Sequence, residues 1–132
     1  EVLPETARLD AAKVSRVLLC SGKVYYDLRA ERQKLNREDV AILRVEQLYP
    51  WPKAQIQGEL AKYKGLTNVV WVQEDPRNMG AYRAVLESLH ETLPTGAALR
   101  YAGRDVAAAP AVGSLKTHAR DQAALVAAAF AQ

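Results

Sequence analysis

The sequence predicts an α/β fold, a three-layer sandwich built on a mostly parallel sheet of four to five strands with helices on both faces. Three observations carry this. Apolar runs at residues 15–20, 40–45, 68–73 and 98–102 have the length of buried strands and are bounded by turn-forming residues. Each run is followed by a segment whose apolar residues recur at helical spacing. The strand–helix alternation repeats without a break, and parallel strands joined through helices require right-handed crossovers that cover both sheet faces.

Residues 1–13 form a lead-in: Pro4 and then Asp10-Ala11-Ala12-Lys13 read as an extended segment and a turn. Residues 14–132 read as a single α/β domain, with no internal repeat and no linker long enough to divide it. The first central strand, Ser15 to Cys20, ends in Ser21-Gly22-Lys23. The first helix runs from Lys23 to about Asn36, with Val24, Leu28 and Leu35 at roughly helical spacing and Arg29, Glu31, Arg32 and Lys34 outside. Val40 to Val45 is apolar and rich in β-branched residues, so it is expected to be buried on both faces, with Arg44 interrupting it near its end. Tyr49-Pro50-Trp51-Pro52 is a stiff loop, and Pro52 suits the first position of the next helix. Ile56, Leu60 and Tyr63 are that helix's inner stripe and Gly65 its stop.

The third strand is Asn68 to Gln73, left through Glu74-Asp75-Pro76-Arg77-Asn78. Asn78 is the expected cap of a helix carrying Tyr82, Val85, Leu86 and Leu89 on one face. Pro94-Thr95-Gly96 breaks it, and Ala98 to Ala102 is the fourth strand. A loop rich in Ala and Pro spans Gly103 to Gly113. Ser114 caps a last helix with Ala119, Ala123, Val126, Ala127 and Phe130 inward.

The 132 residues suffice for one core, and 49% of them are hydrophobic. Eighteen basic residues stand against 15 acidic ones. With no basic run and no aromatics interleaved with lysines, nucleic acid is not an expected partner. No apolar stretch of about 18 residues exists, so neither a membrane-spanning helix nor a membrane partner is expected, and no signal peptide is visible. The one cysteine, Cys20, lies in a predicted strand, which excludes an intrachain disulfide and suits a small buried hydrophobe in a reducing compartment. Glu1 in place of Met, followed by Val2-Leu3-Pro4 with the look of a strand's tail, suggests a piece of a longer protein.

Several groups could carry chemistry. Ser21-Gly22-Lys23 offers backbone N–H groups at a helix start and an ammonium, which suit a phosphate; from the residues alone a tight turn with a solvated lysine is the favoured reading. The spacing of a phosphate-binding P-loop is absent. Arg100 and Arg104 flank the fourth strand's end and could grip a carboxylate or phosphate, or pair with acids of a neighbouring subunit; the interface reading is favoured. Glu74 and Asp75 are adjacent in an extended chain, where side chains alternate sides, so a solvated turn is favoured over acid–base work. His90 and His118 lack metal-ligand spacing, and no Gly-x-Ser-x-Gly elbow is present. No catalytic or metal-binding residue is assigned. Trp51, Trp71, Tyr25, Tyr26, Tyr49 and Tyr101 lie at or near strand ends; those that other domains would cover should be exposed here and favour association.

Four segments carry a resemblance. They are Leu19-Cys20-Ser21-Gly22-Lys23-Val24-Tyr25-Tyr26-Asp27-Leu28, then Val40-Ala41-Ile42-Leu43-Arg44-Val45-Glu46-Gln47-Leu48-Tyr49-Pro50, then Trp71-Val72-Gln73-Glu74-Asp75-Pro76 with Asn78-Met79-Gly80-Ala81-Tyr82, and finally Arg100-Tyr101-Ala102-Gly103-Arg104 with Pro110-Ala111-Val112-Gly113. In this order they resemble the C-terminal domain of the thiamine-diphosphate-dependent decarboxylating component of 2-oxoglutarate dehydrogenase. The wider fold is that of the transketolase C-terminal domain, and within it the lead-in can form an edge strand antiparallel to the rest. The resemblance implies a parent enzyme that uses thiamine diphosphate and Mg²⁺, decarboxylates 2-oxoglutarate and passes the succinyl fragment to the lipoyl group of a partner acyltransferase.

It further implies a homodimer and neighbouring domains of the same subunit, in the cytoplasm of a bacterium or the mitochondrial matrix of a eukaryote. The thiamine site of such enzymes lies in the preceding domains, and the Gly-Asp-Gly type of diphosphate motif is absent here. The isolated chain is therefore expected to bind no cofactor and to be inactive, with a structural and assembly role. Some members bind a nucleotide-type effector such as acetyl-CoA or AMP, for which Lys23 and Arg44 are the candidate phosphate contacts. A regulatory module of that kind, or a free-standing nucleotide-binding protein of doubly wound fold, are the alternatives.

Overall fold

A computed structural model of the chain describes residues 1–104 and 115–131, side chains of 115–118 excepted. It contains β1 (Val2–Leu3), a 3₁₀ turn (Ala11–Lys13), β2 (Arg16–Cys20), α1 (Val24–Leu35), β3 (Val40–Val45), α2 (Lys53–Leu60), β4 (Asn68–Pro76), α3 (Gly80–Thr92), β5 (Ala98–Arg104) and α4 (Leu115–Phe130). The sheet order is β1-β3-β2-β4-β5. The pairs β2–β3, β2–β4 and β4–β5 are parallel, and β1 runs antiparallel to β3. This is the expected α/β architecture.

Alternation along the strands sorts the core into two halves. Val17 and Leu19 of β2, Ala41, Leu43 and Val45 of β3, and Val69 and Trp71 of β4 face one way, where Ile56 and Leu60 of α2 and Val85 and Leu89 of α3 cover them. Leu18 and Cys20, Val40 and Ile42, and Val70 and Val72 face the other way, beneath Val24, Tyr25 and Leu28 of α1 and Leu125, Val126, Ala129 and Phe130 of α4. Every residue of β2 is buried. At about 1.5–3 kcal/mol for each large aliphatic side chain removed from water, these two layers hold the sheet between its helices. Asn36 closes α1 in the left-handed region, at φ 54°, where its N–H reaches the Arg32 and Gln33 carbonyls.

β1 pairs Val2 with Val45 and Leu3 with Arg44, and Pro4 ends it. The β3 edge beyond it is not left bare: Glu5 Oε1 accepts the Ile42 N–H at 2.7 Å.

Six expectations need correction. Arg32, expected on the outside of α1, is buried there because it pairs with Glu5 of the lead-in. Pro52 sits outside α2, in the cap position, and α2 ends at Leu60, before Tyr63 and Gly65; Tyr63 is buried from a following turn whose N–H bonds the Leu60 carbonyl. β4 continues through Glu74 and Asp75 to Pro76, because β5 continues with it and pairs Pro76 with Arg104 across an irregularity. Gly103 and Arg104 therefore belong to a strand, not to a loop. Met79, not Asn78, occupies the α3 cap position, and the Tyr82 N–H is bonded by the Gln73 side chain at 2.9 Å. In α4, Leu125, Val126, Ala129 and Phe130 are buried while Ala119, Ala123 and Ala127 are exposed. Turning Leu125 inward removes more apolar area from water than turning alanines inward. The expected loop to Gly113 beyond Arg104, the Ser114 cap and the His118 side chain lie outside the described residues. Among the described residues no helix is long and apolar enough to cross a membrane.

Candidate functional site

β3 lies on one side of β2, and β4 with β5 on the other. The chain thus reverses direction across the sheet between β2 and β4, and open α/β sheets bind ligands outside the carboxyl ends of such strands. A cleft of about 310 Å³ sits there. Ser21, Gly22 and Lys23 line one side, and Gln73, Glu74 and Asp75 the other. Gly22 makes the turn at φ +80°, a conformation that side chains disfavour. Lys23 follows as the exposed cap residue of α1.

The anion-attracting groups of this turn already hold a carboxylate. Glu46 Oε1 accepts the Gly22 N–H at 3.3 Å and the Arg44 Nε–H at 3.3 Å. Arg44 lies beside Cys20 in the sheet, and its guanidinium stacks 4.6 Å from the Tyr25 ring centroid and 5.6 Å from that of Tyr26. Gly22 and Arg44 thus meet through Glu46, a residue that sequence reasoning passed over. The readable signal was an acid two positions beyond Arg44, on the same side of an extended chain.

The other wall is built around Gln73. Its Oε1 accepts from Trp71 Nε1 and from the Tyr82 N–H, both at 2.9 Å. Its Nε2 donates to the Pro76 and Met79 carbonyls, each at 2.9 Å. The Tyr101 hydroxyl donates to the Asp75 carbonyl at 3.2 Å and the Arg104 carbonyl at 3.0 Å. These bonds fix the loop between β4 and α3. Glu74 is half-buried and Asp75 exposed; Asp75 packs against Gly80, and the two acids do not converge.

Burial, then the Glu46 charge, pushes the Cys20 thiol up to about 12 despite Arg44, so it stays protonated and unreactive. It packs in the core and makes a weak bond to the Leu43 carbonyl at 3.8 Å.

Arg100 and Arg104 are not brought together at a site. Arg100 Nη1 donates to the Ala131 carbonyl at 3.0 Å. Arg16 Nη1 donates to the Ala129 and Ala131 carbonyls at 3.1 and 2.6 Å, and Arg37 Nη1 to the Phe130 carbonyl at 2.9 Å. Three guanidiniums therefore meet the carboxyl end of α4, where helix carbonyls lack partners and the dipole is negative. Arg16 is buried, and burial followed by the charges of Arg100 and Arg37 lowers its pKa. The Asp39 hydrogen bond raises that of Arg37 and, reciprocally, holds Asp39 below the usual carboxylate range. Sequence signalled this only as an arginine opening an apolar run.

Of the strand-end aromatics, Trp71 and Tyr25 are core, Trp51 is half-buried and donates to Thr92 Oγ1 at 2.9 Å, and Tyr101 is half-buried. Tyr26 and Tyr49 are exposed. Among the described residues no three His, Cys, Asp or Glu side chains converge as metal ligands. With no Gly-Asp-Gly motif in the sequence either, these residues do not fit thiamine diphosphate and its magnesium ion.

A protein family described as 2-oxoglutarate dehydrogenase C-terminal matches residues 1–130. The chain is 46% identical over 131 residues to the 2-oxoglutarate dehydrogenase E1 component of Cupriavidus necator, a match covering 99% of this chain and 14% of that protein. It is 47% identical over 135 residues to the corresponding component of Azotobacter vinelandii, covering 98% of this chain and 14% of that protein. For that of Haemophilus influenzae the figures are 44% over 125 residues, with 95% and 13% covered. The chain thus spans about a seventh of the length of these relatives. Among solved structures it is similar to one titled "Split gene transketolase, inactive beta4 tetramer", with a TM-score of 0.61 and 18% identity, over 87% of this chain and 37% of that one. That likeness shows the fold.

Proposed function

The chain belongs to the 2-oxoglutarate dehydrogenase C-terminal family, and from that premise we propose that it serves as the assembly domain of a decarboxylating subunit. The parent decarboxylates 2-oxoglutarate with thiamine diphosphate and Mg²⁺ held by residues outside this chain, and passes the succinyl fragment to the lipoyl group of a partner acyltransferase. This domain completes the subunit, supports a homodimer and shapes the approach to the cofactor. It works in the cytoplasm of a bacterium, as the bacterial relatives suggest. The observation that carries the reading is the family match over residues 1–130, in a chain that spans only 14% of a relative's length.

The test compares the parent subunit with and without these residues. CO₂ release from 2-oxoglutarate and dimer mass should both be lost on deletion, and the isolated chain should release no CO₂. A deleted subunit that stays dimeric and fully active would overturn the proposal.

One observation favours a second role for the same domain. Gly22 N–H and Arg44 share one carboxylate oxygen of Glu46, so the turn has the chemistry to hold an anion. A phosphate-bearing effector such as acetyl-CoA or AMP would displace Glu46 and gain Lys23. Lys23→Glu with Arg44→Glu in the parent should abolish effector binding and leave its folding intact; retained affinity would exclude the role.

A further inference from the structure

The chain enters this domain at the carboxyl end of the parallel strands. β1 is antiparallel to β3, so its start lies beyond the end of β3, where the Glu46 N–H bonds the Glu1 carbonyl at 2.9 Å. The relatives extend far beyond the match, and the family matched is a C-terminal one, so most of a parent chain precedes Glu1. The same end of the sheet carries two of the large hydrophobic side chains left in solvent, Tyr26 at 54% and Tyr49 at 76% exposure. Tyr26 stands in the first turn after β2, and Tyr49 in the connection that leaves β3.

Tyr26 is also held in place. The guanidiniums of Arg44 and Arg29 lie 5.6 and 5.8 Å from its ring centroid, and Tyr25 meets it edge-on at 5.2 Å. An immobilised tyrosine beside arginines loses little entropy on being covered, and Tyr and Arg are the residues that dominate interface energies.

We propose that the carboxyl-end surface bearing Tyr26, Tyr49 and the Arg44 stack seats the domain that precedes this one in the same polypeptide. The proposal rests on the assembly reading above and specifies its surface. The segment entering at Glu1 delivers its own domain to this end, where a short tether favours the intramolecular contact by effective concentration. Arg29 and Arg44 select an acidic or carbonyl-rich counter-surface.

The experiment places a photoreactive benzoylphenylalanine at Tyr26, Tyr49 or, as a control on the far end of α1, Leu35 in the full-length parent. Isotope-labelled and unlabelled subunits are mixed so that cross-links within a subunit can be told from those between subunits. Tyr26 and Tyr49 should cross-link to peptides upstream of Glu1 in the same subunit. Cross-links from these positions to the other subunit, or to the acyltransferase in the assembled complex, would overturn the proposal. So would upstream cross-links from Leu35 alone, which would leave the assembly reading standing. Silence at all three positions would overturn both.

Discussion

Glu5 and Arg32 form a buried bidentate ion pair that fastens the lead-in to α1. Arg32 Nη1 donates to Glu5 Oε1 and Nη2 to Oε2, the latter at 2.9 Å, and each side chain is only 7% exposed. Further hydrogen bonds anchor both partners. Glu5 accepts the N–H groups of Ala7 and Ile42, and Arg32 Nη1 donates to the Val40 carbonyl. Such a pair contributes modestly against an apolar substitute, but removing one partner strands the other charge in low dielectric.

Arg32→Met in the parent should therefore cost about 3–5 kcal/mol, because Glu5 remains buried without its counter-ion. Exchange of the Ile42 N–H should accelerate with it, since that group depends on Glu5. Denaturant midpoints and hydrogen exchange check this; an unchanged midpoint would mean that Glu5 swings out to water.

The same pair sets a pH dependence. Burial alone would raise the Glu5 pKa, but the Arg32 hydrogen bonds, the Ala7 and Ile42 N–H groups and the Arg32 charge outweigh it and hold the carboxyl below 4.5. A depressed carboxyl pKa contributes stability that is fully present above 4.5 and is lost as pH falls through the lower folded value. Stability of the native protein should drop more steeply below pH 4.5 than that of Glu5→Gln. Parallel curves in acid would show that the carboxylate is not linked to folding.

How much of this was legible before the structure differs by element. Val17 to Cys20 and Val40 to Val45 were readable because strands buried on both faces are continuous apolar runs. The ends of β4 and β5 were not, because Pro76 and Arg104 extend each other's strands through a pairing that neither segment encodes alone. The α4 face was misread because six alanines among its residues give helical spacing little contrast, leaving Leu125 and Phe130 to decide it. Gly22 and Arg44 were singled out, but their common partner Glu46 was not. The meeting of Arg100 with the end of α4 was not legible because its partner there is a backbone carbonyl, which carries no residue signature.

Gln73 is expected to be intolerant even of a substitution that preserves its size. Gln73→Leu leaves Trp71 Nε1 and the Tyr82 N–H without their acceptor. At about 1–3 kcal/mol for each stranded donor, a loss of roughly 2–6 kcal/mol should follow. Gln73→Glu retains the acceptor but cannot donate to the Pro76 and Met79 carbonyls, so it should rescue only in part. Melting temperatures of the two variants, read with tryptophan fluorescence for Trp71, decide it. Equal losses would mean that neither half of the amide matters separately.

Arg16 should matter more to the last helix than Arg100. Arg16 is buried and serves two carbonyls at the end of α4, whereas Arg100 serves one of them from a more exposed position. With hydrogen bonds to charged groups contributing about 1.5–3 kcal/mol, Arg16→Met should loosen α4 strongly and Arg100→Met weakly. Hydrogen exchange across Leu125 to Phe130 reads the difference, and the reverse order would contradict the geometry.

Two glycines should respond oppositely to alanine. Gly58 lies within α2, is exposed, and a Cβ there meets nothing within 4 Å. Gly58→Ala should stabilise by about 0.5–1 kcal/mol, because alanine loses less backbone entropy in a helix. Gly103 lies in β5, where a Cβ would stand 2.4 Å from the Tyr101 hydroxyl and 2.7 Å from the Gln73 carbonyl. The tyrosine could turn away only by giving up its bonds to the Asp75 and Arg104 carbonyls, and the Gln73 carbonyl belongs to backbone. Gly103→Ala should thus cost at least the roughly 1–3 kcal/mol typical of overpacking. Paired denaturant titrations of the two variants test both signs at once. A neutral Gly103→Ala would mean that β5 shifts against β4 at the Pro76–Arg104 irregularity, the one place where their register already breaks.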